Sequence, residues 1–254
     1  MRTETAKKLS EMTSQFYALV APSFSATRDA PWDGWQRVMA ACSVAPEEPI
    51  RVLDLACGNL RFERFLSDQQ VMADVYAYDN CDDLVRESRA ERLSGVTVRY
   101  KRLDVAQVIN SKKDLSNLLE APPCDLCACF GFMHHLPLPE HREQVLQALV
   151  SRAAAGGIIA VSFWKLSNSD RLLRKARQTT EAEAPRHGLT GLGPGDYLLG
   201  WQDRADVLRF CHDFTEPEID ALAAAVRPLA EEVSRFSADG KTGDLNRYLI
   251  LRKA

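Results

Sequence analysis

Between residues 50 and 180, short apolar runs alternate with amphipathic stretches, and this alternation limits what the chain can fold into more than any other feature. The runs fall at 50–55, 73–78, 97–101, 124–130 and 157–163, separated by helix-like stretches at 60–68, 81–92, 138–153 and 168–180. Segment 105–121 reads as a helix or loop crossover. The runs "RVLDLAC", "CDLCACF" and "GIIAVSFW" lack polar alternation, as strands covered on both faces should. Strands of that kind alternating with helices predict a parallel, doubly wound α/β sheet.

The flanks differ. Residues 4–20 and 33–42 read as two amphipathic helices around the loop "APSFSATRDAPW". Beyond Gly200 come a charged segment, a helix near 215–226 and strand-like runs at 228–236 and 245–252. With no helix between them, the last two runs predict an antiparallel hairpin on the sheet edge, turned by "SADGKTGD". The expectation is one Rossmann-like domain over 1–254 with seven strands, mostly parallel. It divides into an N-terminal helical cap (1–48), a ligand-binding core (49–165), and a substrate-side insertion with the C-terminal hairpin (166–254). The Gly- and Pro-rich stretch 183–200 is a possible mobile lid.

At 254 residues the chain is long enough for one large core, and no apolar run can span a bilayer. "MRTETAKKLSEMTSQF" has no apolar h-region, so it is not a secretory signal, which points to the cytoplasm. Seven unevenly spaced cysteines make a poor disulfide framework and fit that setting. A net charge of −3 does not advertise nucleic-acid binding, although a local basic stripe would suffice.

Open α/β sheets bind ligands outside the carboxyl ends of their strands. The first such turn, "RVLDLACGNLRF", carries Asp54 and then only Gly58 of the three glycines that a dinucleotide fingerprint wants, with Ala56 and Arg61 in the other two places. That argues against NAD and FAD, and without Gly-Lys-Ser/Thr it is not a phosphate-cradling loop. The segment resembles the first motif of the class I S-adenosylmethionine (SAM)-dependent methyltransferases, with Ala56 and Leu60 standing where that family has glycine. Asp79 ends the second strand, where an acid can accept hydrogen bonds from both ribose hydroxyls; the competing reading is a helix N-cap. Asp104 follows the third strand, and the resemblance implies contact with the adenine amino group while Val105 packs on the ring; otherwise Asp104 is a solvated turn residue. The resemblance also puts Phe130 and Gly131 beside the transferable methyl group. The cofactor-binding set expected is therefore Asp54, Ala56, Gly58, Asn59, Asp79, Asn80, Asp104, Val105, Phe130 and Gly131.

Cys124, Cys127 and Cys129 near His134 and His135 have the wrong spacing for paired zinc knuckles, and buried strand cysteines behave as small hydrophobes. No metal site is expected. "FYALVAPSFSATRDAPW", "ACGN", the pair "HH" and "VSFW", in that order, resemble the eukaryotic tRNA wobble-uridine carboxymethyl methyltransferases over residues 14–165 and the terminal hairpin. Residues 201–214 depart from that family, with arginines and His212 but no tyrosine. The resemblance implies a carboxylate acceptor on tRNA and a small activator protein as partner; a small-molecule carboxylate or hydroxyl, or a non-catalytic SAM-binding module, are the alternatives. An anionic acceptor calls for a cation rather than a base, and a guanidinium fork suits it. Arg28 is the expected clamp, supported by Tyr17 and His135 as catalytic residues, with Trp32, His134, Trp164 and Arg204 touching substrate. Bland readings compete: salt bridging or capping for Arg28, core packing for Tyr17 and Trp32, a sheet-edge plug for Trp164. Arg171, Arg174 and Lys175 share one helical face, suited to phosphates or simply solvated.

Overall fold

In a computed structural model, residues 1–42, 48–88, 93–202 and 204–254 are described. In chain order they form α1 (Thr3–Ser25), α2 (Gly34–Ala41), β1 (Ile50–Leu55), α3 (Arg61–Asp68), β2 (Ala73–Asp79), α4 (Asp82–Ser88), β3 (Val96–Arg102), α5 (Val105–Asn110), β4 (Cys124–Cys129), α6 (Pro139–Arg152), β5 (Ala153–Trp164), α7 (Asp170–Arg186), β6 (Asp196–Trp201), β7 (Arg204–His212), α8 (Glu216–Val226), β8 (Ala230–Ala238) and β9 (Asn246–Lys253). The last residues expected of the 81–92 helix lie outside the described residues.

The main sheet runs β3-β2-β1-β4-β5-β9-β8, with parallel pairing from β3 to β5 and antiparallel pairing of β9 with both β5 and β8. This is the Rossmann-like order expected from the alternation. One face packs Leu53, Leu55, Cys127 and Cys129 against α5, α6 and α8; the other packs Val52, Val75 and Ala128 against Trp35, Phe62 and Phe65 of α2 and α3. Cys124, Cys127 and Cys129 are fully buried among apolar side chains, as small hydrophobes. Strand order reverses between β1 and β4, and a ligand crevice opens at such a switch point. No helix of the described residues is long and apolar enough to cross a membrane.

Two expectations need correction. The charged segment after Gly200, to which the sequence assigned no element, is the strand β7, and it pairs with β6 in a second, two-stranded antiparallel sheet. Its charges mislead because β7 is largely buried, with α1 packed against it and both Arg209 and His212 turned inside. His212 lies between Asp196 and Glu218 at 2.7 and 2.8 Å, and Glu218 also closes the capping box of α8 with Thr215. Nor is 183–200 a lid. It comprises the end of α7, a short loop and β6, and none of its residues lines the crevice. The cover is α1 with the loop 26–33 that follows it.

Candidate active site

A cavity of about 490 Å³ lies over the carboxyl ends of β1, β2 and β4, within the usual range for ligand sites. Its floor is the turn after β1. Gly58 has φ +57° and nothing within 4 Å of where a Cβ would sit, so the backbone lies open to a ligand. Ala56 (φ 66°) and Leu60 (φ 53°) also adopt left-handed backbone. These are the two places where the related motif has glycine, so the turn keeps its shape without the residue type, at roughly 1 kcal/mol of strain each. Leu60 is 2% exposed and packs with Trp35 and Phe62, which offsets its strain.

The carboxylates line one side. Asp54 is buried at the tip of β1 and Asp79 ends β2, accepting from the backbone amides of Gly58 at 2.9 Å and Cys81 at 2.8 Å. Burial raises the Asp79 carboxyl above its ordinary range, opposed by those amides. Asp104 caps α5 by accepting from the Gln107 amide at 2.9 Å, and the Asn80 amide joins its other oxygen to Ser14 of α1. Asp79 and Asp104 are thus each fixed by backbone donors, as caps are, and all three acids line the cavity, with Val105 beside Asp104. On β4's exit, a Cβ on Gly131 (φ +71°) would meet the Trp32 ring at 3.1 Å, so Trp32 closes directly over this glycine. Phe130 packs edge-on to Phe62.

The opposite side is cationic. Arg28 lies over Phe24 and Trp201, held by Thr27, and its backbone carbonyl accepts from Asn59 at 3.4 Å, tying the cover to the floor. Arg209 enters from β7. It is 8% exposed, lines the cavity, and has no ion pair among the described residues. One guanidinium nitrogen donates to the Tyr17 hydroxyl at 3.0 Å, and its Nε has no partner. Burial, then the neighbouring Arg209, lowers the Arg28 pKa, so the two cations face a common space.

Tyr17 and His135 complete a directed chain. His135 Nδ1 lies 2.7 Å from the Phe210 carbonyl, which only accepts, so Nδ1 carries the proton and Nε2 accepts from Tyr17 at 2.9 Å. Burial, then Arg209, pushes the His135 pKa down to about 3, and burial depresses His134 well below its ordinary value. Both rings are neutral at physiological pH. Burial raises the Tyr17 pKa, so its proton stays on the bond to His135. The His134 ring packs at a tilt against Trp164, with ring centroids 4.8 Å apart, and Arg209 sits 5.5 Å from the same indole.

The structure therefore brings Arg28, His135, Tyr17, Trp32, His134 and Trp164 to one cavity with the ten expected cofactor-side residues. Arg204 is the exception. It is exposed at the start of β7 and pairs with Asp206 at 2.9 Å, outside the cavity. Its place is taken by Arg209, five residues along, whose local sequence carries no signal that separates it from Arg204. Arg61 was also missed: it lies 5.0 Å from the Trp32 ring, and burial lowers its pKa to about 10. His134, His135 and Cys211 bring potential metal-ligand atoms within 4.8 Å, but both nitrogens of His135 are already bonded and Arg209 opposes a cation there.

Residues 28–225 match a family model described as a methyltransferase domain. The chain belongs to this methyltransferase family. Among curated proteins it is 26% identical over 168 residues to the tRNA (carboxymethyluridine(34)-5-O)-methyltransferase ALKBH8 of Mus musculus, covering 65% of this chain and 22% of that protein. The Macaca fascicularis counterpart is 24% identical over 163 residues, 64% of this chain and 21% of its own. The methyltransferase thus spans about a fifth of the length of the curated relatives it matches. Among solved structures, a SAM-dependent methyltransferase from Methanosarcina mazei superposes with TM-score 0.59 at 15% identity, covering 82% of this chain and 93% of that one. The DhpI–SAH complex gives 0.58 at 16% identity over 97% of both chains. These likenesses concern the fold.

Proposed function

We propose that this methyltransferase uses S-adenosylmethionine to methylate a carboxylate on a modified wobble uridine of tRNA. The cofactor fits the acidic side of the cavity: an open glycine turn, Asp79 with oxygens anchored by amides yet facing inward, and Asp104 beside the apolar Val105. When bound, it supplies an electrophilic methyl group on a sulfonium.

The observation that carries the acceptor is Arg209. A guanidinium this buried, without a carboxylate partner among the described residues, leaves a charge whose burial costs several kcal/mol until an anion joins it. Arg28 faces the same space, so two cations converge on one anionic group and leave a carboxylate oxygen free to attack. No base is needed, because a carboxylate is already ionised at neutral pH. None is offered either: His135 Nε2 is occupied by Tyr17, and the Tyr17 proton is committed to it. Tyr17 and His135 therefore position Arg209. The roles left to the rest are orientation and exclusion of water, with Trp32 and Trp164 as flat walls suited to a base.

Two observations support tRNA as the carrier: the likeness to wobble-uridine enzymes, and α7. That helix presents Arg171, Arg174 and Arg177 to solvent while Leu172 and Leu173 pack beside Trp164 at the cavity wall. The test is incubation of the chain with radiolabelled SAM and tRNA containing carboxymethyluridine, with and without a small activator protein, against a metabolite extract. A label on tRNA that mild alkali releases as methanol is the expected outcome, since only an ester behaves so. An alkali-stable label would overturn the carboxylate, and labelling confined to the extract would overturn tRNA.

A further inference from the structure

Glu63 has no part in the chemistry above. It lies on α3, is 0% exposed, and does not line the cavity. Beyond its own backbone amide, neither carboxyl oxygen meets a hydrogen-bond donor among the described residues. What it meets is the carboxyl of Asp54, within hydrogen-bonding reach, and Asp54 does line the cavity. Two facing carboxylates in a dry interior cannot both ionise and settle by sharing a proton. Burial drives both upward, Asp54 well above the usual carboxylate range and Glu63 up to about 7. The surroundings are mixed. Asp79 on β2 raises both, Arg64 on α3 lowers Glu63, and the buried thiols of Cys57 and Cys129 lie close by.

We infer that Glu63 is a positioning residue for cofactor binding: with Asp54 it stores one proton under the cofactor side of the cavity, and entry of the α-ammonium group of the cofactor's amino-acid end beside Asp54 expels that proton to solvent. The inference rests on the cofactor reading above. A cation beside the pair favours its doubly ionised form, which the free protein resists. Affinity then rises with pH, up to about tenfold per unit, until the free pair has lost its proton.

Calorimetric titration at pH 6.5, in two buffers of different protonation enthalpy, counts the proton directly. SAM and S-adenosylhomocysteine are each expected to release nearly one, and 5′-methylthioadenosine, which lacks the amino-acid end, none. Glu63→Gln leaves Asp54 facing an amide donor, so release vanishes and SAM affinity flattens between pH 6 and 8. Heats that do not depend on buffer in the wild type, equal release by methylthioadenosine, or undiminished release in Glu63→Gln would each overturn the inference. The wild-type ligand comparison decides the matter even if the variant fails to fold. Absence of any SAM binding by the wild type is a separate outcome, one that sinks the cofactor reading and the inference with it.

Discussion

The two sides of the cavity are built by different means. The cofactor side is made of strand tips: Asp54, Asp79 and Asp104 stand at or just beyond the ends of β1, β2 and β3, so sheet register alone sets their spacing. The acceptor side is made of tertiary contacts, α1 carrying Tyr17, the following loop carrying Arg28, and a separate small sheet carrying Arg209. The first side is acidic and anchored by backbone amides. The second is basic and holds its central cation through side chains. Under the proposed function, a cationic cofactor and an anionic acceptor would enter from opposite walls, and the basic wall could change chemistry without disturbing the sheet.

The strongest way to break that division is Arg209→Met, which keeps the volume and removes the charge. Turnover should fall on the order of a hundredfold or more, as expected for loss of a buried charge-assisted contact, while SAM affinity measured by calorimetry stays within about threefold. Arg28→Ala should cost less, about tenfold, because that guanidinium is only half-buried. A large loss of SAM affinity in Arg209→Met would mean that the two sides are one site.

The same division explains what the sequence disclosed. Strand tips are local: a branched apolar run ending in an acid can be read directly, and the turn after Leu55 showed its ligand-facing character despite Ala56 and Leu60. Arg209 could not be found that way. It sits five residues from Arg204 in an equally charged segment, and only the burial of β7 under α1, which no local pattern encodes, decides which arginine turns inward. Glu63 escaped for a similar reason, since a glutamate on a helix reads as solvated until Phe62, Phe65 and Leu66 are seen to occupy the same buried surface. The lid expected over 183–200 failed because glycine and proline there mark ordinary turns around α7 and β6.

Stability should depend on pH with opposite sign on the two sides. The acceptor-side histidines are neutral in the fold, so between about pH 6.5 and 3 the unfolded chain binds protons that His135 refuses, and stability is lost as pH falls. The carboxyl pair does the reverse: buried together, Asp54 and Glu63 keep in the fold a proton that the unfolded chain releases at about 4, so its contribution is lost as pH rises. The slopes oppose each other between pH 4.5 and 6.5. Glu63→Gln removes one of them, and denaturant midpoints should then climb more steeply over that interval, by about 2 kcal/mol relative to wild type. Parallel profiles would show that the pair holds no proton in the fold.

Asp79→Ala probes the cofactor side alone. It deletes an acceptor for the amides of Gly58 and Cys81 as well as the inward-facing carboxylate. SAM affinity should weaken more than tenfold in calorimetry, while the acceptor side keeps the Tyr17–His135 bond. An unchanged affinity would remove Asp79 from the site.

Smallest of all is Ala56→Gly, and it asks whether the cofactor side depends on a backbone shape or on particular residues. At φ 66° alanine carries left-handed strain of about 1 kcal/mol, which glycine relieves while adding up to about 1 kcal/mol of unfolded-state entropy. The two nearly cancel, so stability should shift by no more than about 0.5 kcal/mol in either direction. SAM affinity should stay within about twofold, because the amides of the turn already point where glycine would put them. A tenfold gain in affinity would mean instead that the alanine methyl obstructs the cavity, and that this turn binds cofactor less tightly than a glycine turn of the same shape.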